Sequence, residues 1–545
     1  MPKINDLPVE VLGHILSFFV AGGLPQWDCW EQARIETKEK TNDPDSDDKK
    51  NECTYGTLYN ACLVSKKFRA IAQPLLLLDF VDHGLLHSKE HLIRFAKCLY
   101  RYPELGQLVQ YISIEGNLNQ SPSEYDSFIN LSDGDAEFFL QASEDLKPSN
   151  MEESWFPAKK SFDYITVVAL IVNKTPNIRR LVLPGGLEGM DCFSLSHKNN
   201  DSFLSKLEAV WIRKKLMWIY DIASYYDFLT LHHLKTAVFE SCCSVQQSAP
   251  YTLEPGRLSI EKLVFRDCGI DNLSLQSLTH ACRELKSFSF DNFKGKSSYE
   301  YNLDDTWKVQ FNAVDACEAL TAHKDTLENL RLNFARNFIN PNDWQQFLSN
   351  SVTIPSLHDF SVLRDICLDQ AIVPEHPQFP PTLTRLTILD CNSSVISLVT
   401  NIANDCKMGL YAEFVDFRIL AVDVRQPISG ISIPTNQTQE QAEQTLADLF
   451  IGTKVDFRIL ESQIFMVEAP FMGKIGDPRG YYNGYGNFYA NHDECTLLVL
   501  LSQPSEWQED SQSPSSLGSD NSDEEGSYNS DEEGSDNSDE ERSDN

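Results

Sequence analysis

Apolar residues recur along this chain with two different periods, and the change from one to the other divides it. Near the N-terminus the period is helical. Leu12, Ile15, Leu16 and Phe19 fall on one helix face. Asp6 can cap that helix, Pro8 suits its first turn, where a missing N–H costs nothing, and Glu10 sits at the positive end of the dipole. A second helical pattern runs from Thr57 to Phe80. Leu58, Ala61, Cys62, Val64 and Ser65 lie on neighbouring faces, Phe68, Ile71 and Ala72 continue it, and Pro74 is expected to stop the helix. The residues between, Val20 to Tyr55, include the charged run Asp43–Lys50 and read as a solvated loop, whose length costs closure entropy only logarithmically. Neither helix can bury its stripe alone. The two either form a small unit of their own or belong to the core of one larger domain.

Further on the period changes. His91 to Tyr102 is expected as an amphipathic helix ended by Pro103, and Leu108 to Ile114 alternates like a short strand. Asn117 to Pro157 is a polar, acidic insertion with a short helix around Ala136–Ala142. From Ser161 a form recurs in which apolar residues stand at the first, fourth and sixth positions. It begins at Ile178, Leu207, Leu234, Ile260, Leu285, Leu327, Leu357 and Leu383, at spacings of 29, 27, 26, 25, 42, 30 and 26 residues. The long spacing holds a polar insertion, Asn292 to Asp304. Each form is expected as a strand, and segments such as Leu275–Leu285 and Ala313–Leu327 as helices leading into strands. Two architectures alternate strand and helix in this way: a solenoid of repeats, and a doubly wound α/β sheet. Doubly wound sheets have longer, more uniformly apolar strands, so the short period favours the solenoid.

Past Leu410 the rhythm weakens. The hexamer Val-Asp-Phe-Arg-Ile-Leu stands at Val415–Leu420 and again at Val455–Leu460. It reads either as a chance likeness of two strands or as a duplicated terminal repeat. Ile464–Val467 and Thr496–Leu501 are further strand candidates. Between them, Gly476–Tyr489 mixes glycines with aromatics, as an adaptable recognition loop or a plain surface loop would. From Gln503 the composition changes abruptly, and almost no apolar residue remains. Three octads of the form G-S-[DY]-N-S-D-E-E follow, from Gly518 to Glu541, and predict a disordered acidic tail. Ser522, Ser530 and Ser538 each precede Asp-Glu-Glu, which suits kinases that prefer acidic flanks; a simple solubilising tail is the plainer reading.

Composition then removes function classes. The 545 residues carry a net charge of −34, which argues against a general nucleic-acid-binding surface. No apolar run reaches the length of a membrane span, and Asp6 and Glu10 interrupt the N-terminal apolar pattern in a way unlike a signal peptide. The 14 cysteines are scattered without a C-x-x-C pair and are expected as reduced intracellular thiols. No phosphate-binding glycine loop, H-E-x-x-H or G-x-S-x-G occurs. His232-His233 lacks a second metal-binding cluster, and no cysteine stands in a recognisably activated setting. No cofactor, metal or catalytic residue is expected.

Two stretches carry family resemblances. Leu7-Pro8-Val9-Glu10-Val11-Leu12 with Ile15-Leu16 resembles the opening of an F-box. Leu63-Val64-Ser65-Lys66-Lys67-Phe68-Arg69-Ala70-Ile71-Ala72-Gln73-Pro74-Leu75-Leu76 resembles the closing half found in fungal F-box proteins. The two halves span about 40 residues, and the long Val20–Tyr55 insert departs from the family pattern. The downstream series resembles leucine-rich repeats. Those repeats place Asn or Cys five residues after the second apolar position of a strand, as Cys268 and Cys391 stand here. The fold class expected is therefore α/β: a short N-terminal helical F-box over 1–80, a linking region over 81–160, an irregular leucine-rich-repeat solenoid over 161–420, a capping region over 421–502 and the tail over 503–545.

The F-box resemblance implies docking on a Skp-family adaptor, and through it on a cullin, by Leu7, Pro8, Leu12, Ile15, Leu16, Leu63, Val64 and Phe68. The chain would be a non-catalytic substrate receptor of a ubiquitin ligase, in cytoplasm or nucleus. A protein substrate is expected on the concave face, with Arg179, Arg180, Trp211, Lys235, Thr236, Arg331 and Arg385 forming a basic strip toward an acidic or phosphorylated partner. A scaffold that does not lead to degradation, and a chaperone-like role for the acidic tail, are the alternatives.

Overall fold

The chain divides into two units, Met1–Leu500 and Leu501–Asn545. The computed structural model describes residues 7–21, 54–82, 88–114, 128–130, 132–143, 161–185, 203–213, 220–240, 242–244, 253–266, 268–291, 311–334, 351–391, 395–421 and 439–461, all in the first unit. Residues 22–53 of the expected insert, the Gly/Tyr loop, the strand candidates Ile464–Val467 and Thr496–Leu501, and the serines Ser522, Ser530 and Ser538 lie outside the described residues, while the insert's ends, residues 20–21 and 54–55, are helical.

Three helices open the fold: α1 (Val9–Ala21), α2 (Thr54–Val64) and α3 (Lys66–Leu76). The second apolar segment thus forms two helices rather than one. Ser65 is extended (φ −162°, ψ 164°), and its hydroxyl accepts the Phe68 N–H at 3.2 Å, ending one helix and capping the next. Pro74 does not stop α3. In the last turn it removes a single donor, and Leu77 N–H closes the helix on the Gln73 carbonyl at 3.1 Å. Leu12, Leu16, Leu58, Ala61, Phe68, Ala72 and Leu76 form a core that belongs to these helices alone.

Phe80 is not helical. After Leu77 and Leu78 the chain enters β1 (Asp79–Asp82), the first of twelve strands in one parallel sheet. The others are β2 (Tyr111–Ile114), β3 (Arg180–Pro184), β4 (Ala209–Arg213), β5 (Thr236–Glu240), β6 (Lys262–Arg266), β7 (Ser287–Asp291), β8 (Asn329–Asn333), β9 (Asp365–Asp369), β10 (Arg385–Cys391), β11 (Asp416–Ala421) and β12 (Asp456–Glu461). Their order in space is their order in sequence. A doubly wound sheet would reverse at a switch point, so this order marks a solenoid-like α/β array. The array spans Asp79 to Glu461, wider than the expected 161–420 at both ends.

The apolar form of the repeat is what each strand buries. Leu183, Ile212, Phe239, Phe265, Phe290 and Leu332 share one register row and are each 0% exposed. Burying such a side chain contributes about 1.5–3 kcal/mol. Helices pack behind them, among them α4 (Ser88–Arg101), α5 (Asp133–Ser143), α6 (Tyr164–Asn173), α7 (Asn272–Ala281), α8 (Ala313–Leu320) and α9 (Val395–Lys407). Asp271 caps α7 through the Ser274 N–H, and Asn312 and Asp315 form a reciprocal capping box on α8. The acidic insertion is only partly a surface feature, because α5 inserts Phe139 at 0% exposure into the main core.

One strand falls elsewhere than expected. Leu357–Val362 forms turns, and β9 instead uses Leu363, Ile366 and Leu368, six residues on. Register decides it: the Glu328 carbonyl accepts the N–H groups of Arg364 and Asp365. The hexamer's two copies are adjacent strands, β11 and β12, paired residue on like residue from Asp416↔Asp456 to Leu420↔Leu460. The cysteine positions also find their backbone partners. Cys268 Sγ donates to the Arg266 carbonyl at 3.1 Å, and Cys391 Sγ to that of Ile388 at 3.3 Å.

His323, in the turn after α8, is 3% exposed and bonded at both ring nitrogens. Its Nδ1 accepts Leu285 N–H at 3.4 Å, and its Nε2 lies 2.8 Å from the Thr279 carbonyl, where it must donate. Burial depresses its pKa below the ordinary imidazole value. The folded state then binds fewer protons than the unfolded one just below pH ~6.5. Stability is full above that pH and is lost as pH falls toward the depressed value. The urea midpoint should fall between pH 7.5 and 5.5 in the wild type, and fall less in His323→Gln; equal falls would refute the assignment.

Candidate interaction surfaces

Two surfaces were expected from the sequence, and the structure sorts the residues of each. On the helical unit the side chains divide into core and exterior. Leu12, Leu16 and Phe68, expected at an adaptor contact, are 1%, 5% and 7% exposed and pack within the unit's own core. Helix periodicity marks a stripe as apolar without saying whether it faces inward. Leu7 is half-buried against the same core, and Pro8 is exposed. Ile15, Leu63 and Val64 are outward, at 41%, 58% and 64%. Val9 and Val11, which were not singled out, join them at 52% and 43%.

These exposed aliphatics lie on α1 and at the junction of α2 and α3. Lys67 Nζ donates to the Leu7 carbonyl at 2.7 Å, tying the start of α3 to the start of α1. Arg69 Nε donates to the Cys62 carbonyl at 3.1 Å, folding α3 back on the end of α2. Leu63 and Val64 form the corner between them. Five large aliphatics this exposed on a three-helix unit are a surface that water solvates poorly.

The unit meets the array without a spacer. Leu77 and Leu78 alone separate α3 from β1, and the Leu78 carbonyl accepts the N–H groups of Gln110 and Tyr111. That carbonyl begins a ladder. Each residue just before a strand accepts two N–H groups from the next repeat: Gln110, Arg179, Glu208, Lys235, Glu261, Lys286, Glu328 and Arg364 in turn.

The same ladder sets carboxylates among the cations of the expected basic strip. From Arg179 to Arg364 its side chains alternate in sign at every step. Arg179 lies 3.4 Å from Glu208, and Glu261 lies 2.5 Å from Lys235 and 2.8 Å from Lys286. Hydrogen bonds from Lys235 and Lys286 hold the Glu261 carboxyl below its ordinary pKa. Two of the remaining cations, Arg385 and Arg331, are also engaged. Arg385 reaches Asp416 at 3.0 Å, and Arg331 Nε donates to Asp291 Oδ1 at 2.6 Å with only 16% of its side chain exposed. Arg180, Thr236 and Trp211 are half-buried; Arg180 and Thr236 share a register row through Ala209, and Trp211 lies in another. The seven residues do not form one strip. Sequence spacing placed them on the same sheet but could not show the carboxylates one strand away.

Along the next row the floor is apolar and closed. Val182, Val238 and Val264 are 1%, 6% and 2% exposed beside the half-buried Trp211. The Arg213 and Arg266 guanidiniums lie 4.9 and 5.2 Å from the Trp211 ring. Neither arginine was expected here. Both directly follow the last apolar residue of a strand, Ile212 and Phe265, which was the available signal.

None of the ten described cysteines is in a disulfide, and burial pushes Cys282 and Cys317 up to about 12, which keeps them protonated at neutral pH. Among the described residues no group of three or more His, Cys, Asp and Glu could hold a metal, and no helix is long and apolar enough to cross a membrane. No protein-family model matches the chain, and no curated protein is detectably similar to it in sequence.

Proposed function

We propose that this chain is a non-catalytic substrate receptor of a Skp–cullin–F-box ubiquitin ligase. It docks on a Skp-family adaptor, and through it on a cullin, by the N-terminal helical unit, and it holds a protein substrate on the repeat array. The observation that carries this reading is the exposure of Val9, Val11, Ile15, Leu63 and Val64 on a helical unit with its own core. It coincides with the stretches that resemble an F-box. The spacer-free junction at Leu77-Leu78 supports the reading further, because a substrate held on a sheet continuous with the docking unit is presented in a fixed place. Catalysis then comes from effective concentration at the ligase's charged enzyme.

The docking residues in this reading are Val9, Val11, Ile15, Leu63 and Val64, with Leu12, Leu16 and Phe68 as their internal support. The test is a Leu63→Asp/Val64→Asp double variant. Two carboxylates on an exposed corner leave the core untouched, so thermal unfolding stays within about 1 kcal/mol of wild type. Co-purification of a fungal Skp-family adaptor should fall at least about tenfold, as loss of central contacts does at other interfaces. Undiminished adaptor capture by a folded variant would reject the proposal.

A further inference from the structure

On the far side of the floor Glu240, Arg266 and Asp291 form one register row across β5 to β7, and Arg213, which follows Ile212 at the end of β4, stands beside Glu240. Arg266 is flanked by two carboxylates, and both are drawn to other cations. Glu240 lies 3.9 Å from Arg213 Nε. Asp291, 3% exposed, is taken by Arg331 at 2.6 Å and by the Ser289 hydroxyl at 3.2 Å. Among the described residues no carboxylate stands within 4.0 Å of Arg266; its guanidinium lies against Trp211 instead. In the later repeats the pattern is different. Arg385, Arg418 and Arg458 each meet an aspartate, at 3.0, 2.9 and 2.7 Å.

A half-buried guanidinium that meets no carboxylate among the described residues is unusual on a chain of net charge −34, where acidic residues outnumber basic ones by 80 to 46. The indole face offers it a cation–π contact, which orients the fork without neutralising it. Its donors remain suited to an oxyanion, and the exposed part of the Trp211 ring to an apolar or aromatic side chain.

We propose that Arg266 and Trp211 form an anchor for an extended acidic peptide. One carboxylate of the partner is received by the Arg266 guanidinium, and a neighbouring apolar side chain rests on Trp211. This rests on the receptor reading and names the chemistry of its substrate. Charge complementarity commits the site to an acidic segment. A phosphate has the same oxyanion geometry and is the second source to be separated.

The experiment selects 12-residue peptides by phage display on the full-length wild type and on Arg266→Glu. The wild type should enrich peptides with Asp or Glu next to an apolar residue. Arg266→Glu should lose that acidic enrichment or replace it with Lys or Arg. A change of preferred charge cannot come from misfolding, which only abolishes selection. Trp211→Leu should keep the acidic preference and weaken the selected peptide by about tenfold, through lost stacking. The best peptide is then synthesised with Glu and with phosphoserine at the acidic position; tighter binding of either assigns the source of the oxyanion. Acidic enrichment that is absent, or is unchanged in Arg266→Glu, overturns the proposal. Adaptor co-purification is measured on the same variants and should be unchanged by them. Its loss in the wild type would count against the receptor reading, while leaving the peptide result to stand alone.

Discussion

Phe68→Ala should unfold the N-terminal helical unit and leave the sheet intact. Phe68 is the only aromatic among the seven buried side chains of that core, and none of the seven belongs to the core of the array. Removing a buried phenylalanine costs about 3–5 kcal/mol, which is comparable to what so small a core supplies in total. Two effects should appear together. Protease should cut within α1 to α3 while a fragment containing Asp79 to Glu461 resists, and adaptor capture should vanish. In Leu63→Asp/Val64→Asp only the second should occur, with protease resistance retained. The pair of variants therefore separates a residue that supports the surface from one that forms it. A Phe68→Ala protein that unfolds in one step with the whole array would show that the two cores are coupled through β1.

Arg331→Ala should destabilise the array by about 3–5 kcal/mol, the range for leaving one partner of a buried ion pair behind. Its guanidinium is the donor 2.6 Å from Asp291, whose side chain is 3% exposed, and the Ser289 hydroxyl alone cannot neutralise that carboxylate. Asp291→Asn in the same background should restore much of the loss, because the amide carries no charge. The urea midpoints of the two single variants and the double variant form a cycle that measures this coupling. Additive effects would mean that the pair is not the source of the loss. By contrast Lys235→Ala removes an ion of the exposed ladder, and a change near zero to 1 kcal/mol is the general range for such pairs.

Those contrasts also mark what was legible in the sequence. Strand positions were legible because each buries the same first, fourth and sixth residues against a core, and burial is a property of one segment at a time. The miss at β9 has a definite cause. Leu357, Phe360 and Val362 fit the form as well as Leu363, Ile366 and Leu368 do, and Leu357 and Phe360 are buried too, but in turns. Only the N–H groups of Arg364 and Asp365 could find the Glu328 carbonyl, and that is a relation between repeats.

The same limit governs the surfaces. The apolar character of Leu12 and Phe68 was plain, but their inward direction depends on α2 and α3 parting at Ser65. Arg331 looked available because its partner, Asp291, lies 40 residues away. Trp211 and Arg266 meet only because β4, β5 and β6 stack in register. A reading along the chain finds which residues face the floor; the partners of each are set across it.

The pairing of β11 with β12 has a consequence for how such an array grows. The strands share Asp-Phe-Arg-Ile-Leu, and every residue lies on its own kind. Stacked like charges would repel, yet within each strand the arginine folds back on its own aspartate, Arg418 on Asp416 and Arg458 on Asp456, both at 2.9 Å. Each strand is thereby close to electrically self-sufficient, and compatible with a copy of itself as neighbour. Gene duplication produces such copies before selection has altered them. A repeat that tolerates its twin lets the array lengthen in a single step, and the binding surface can diversify afterwards.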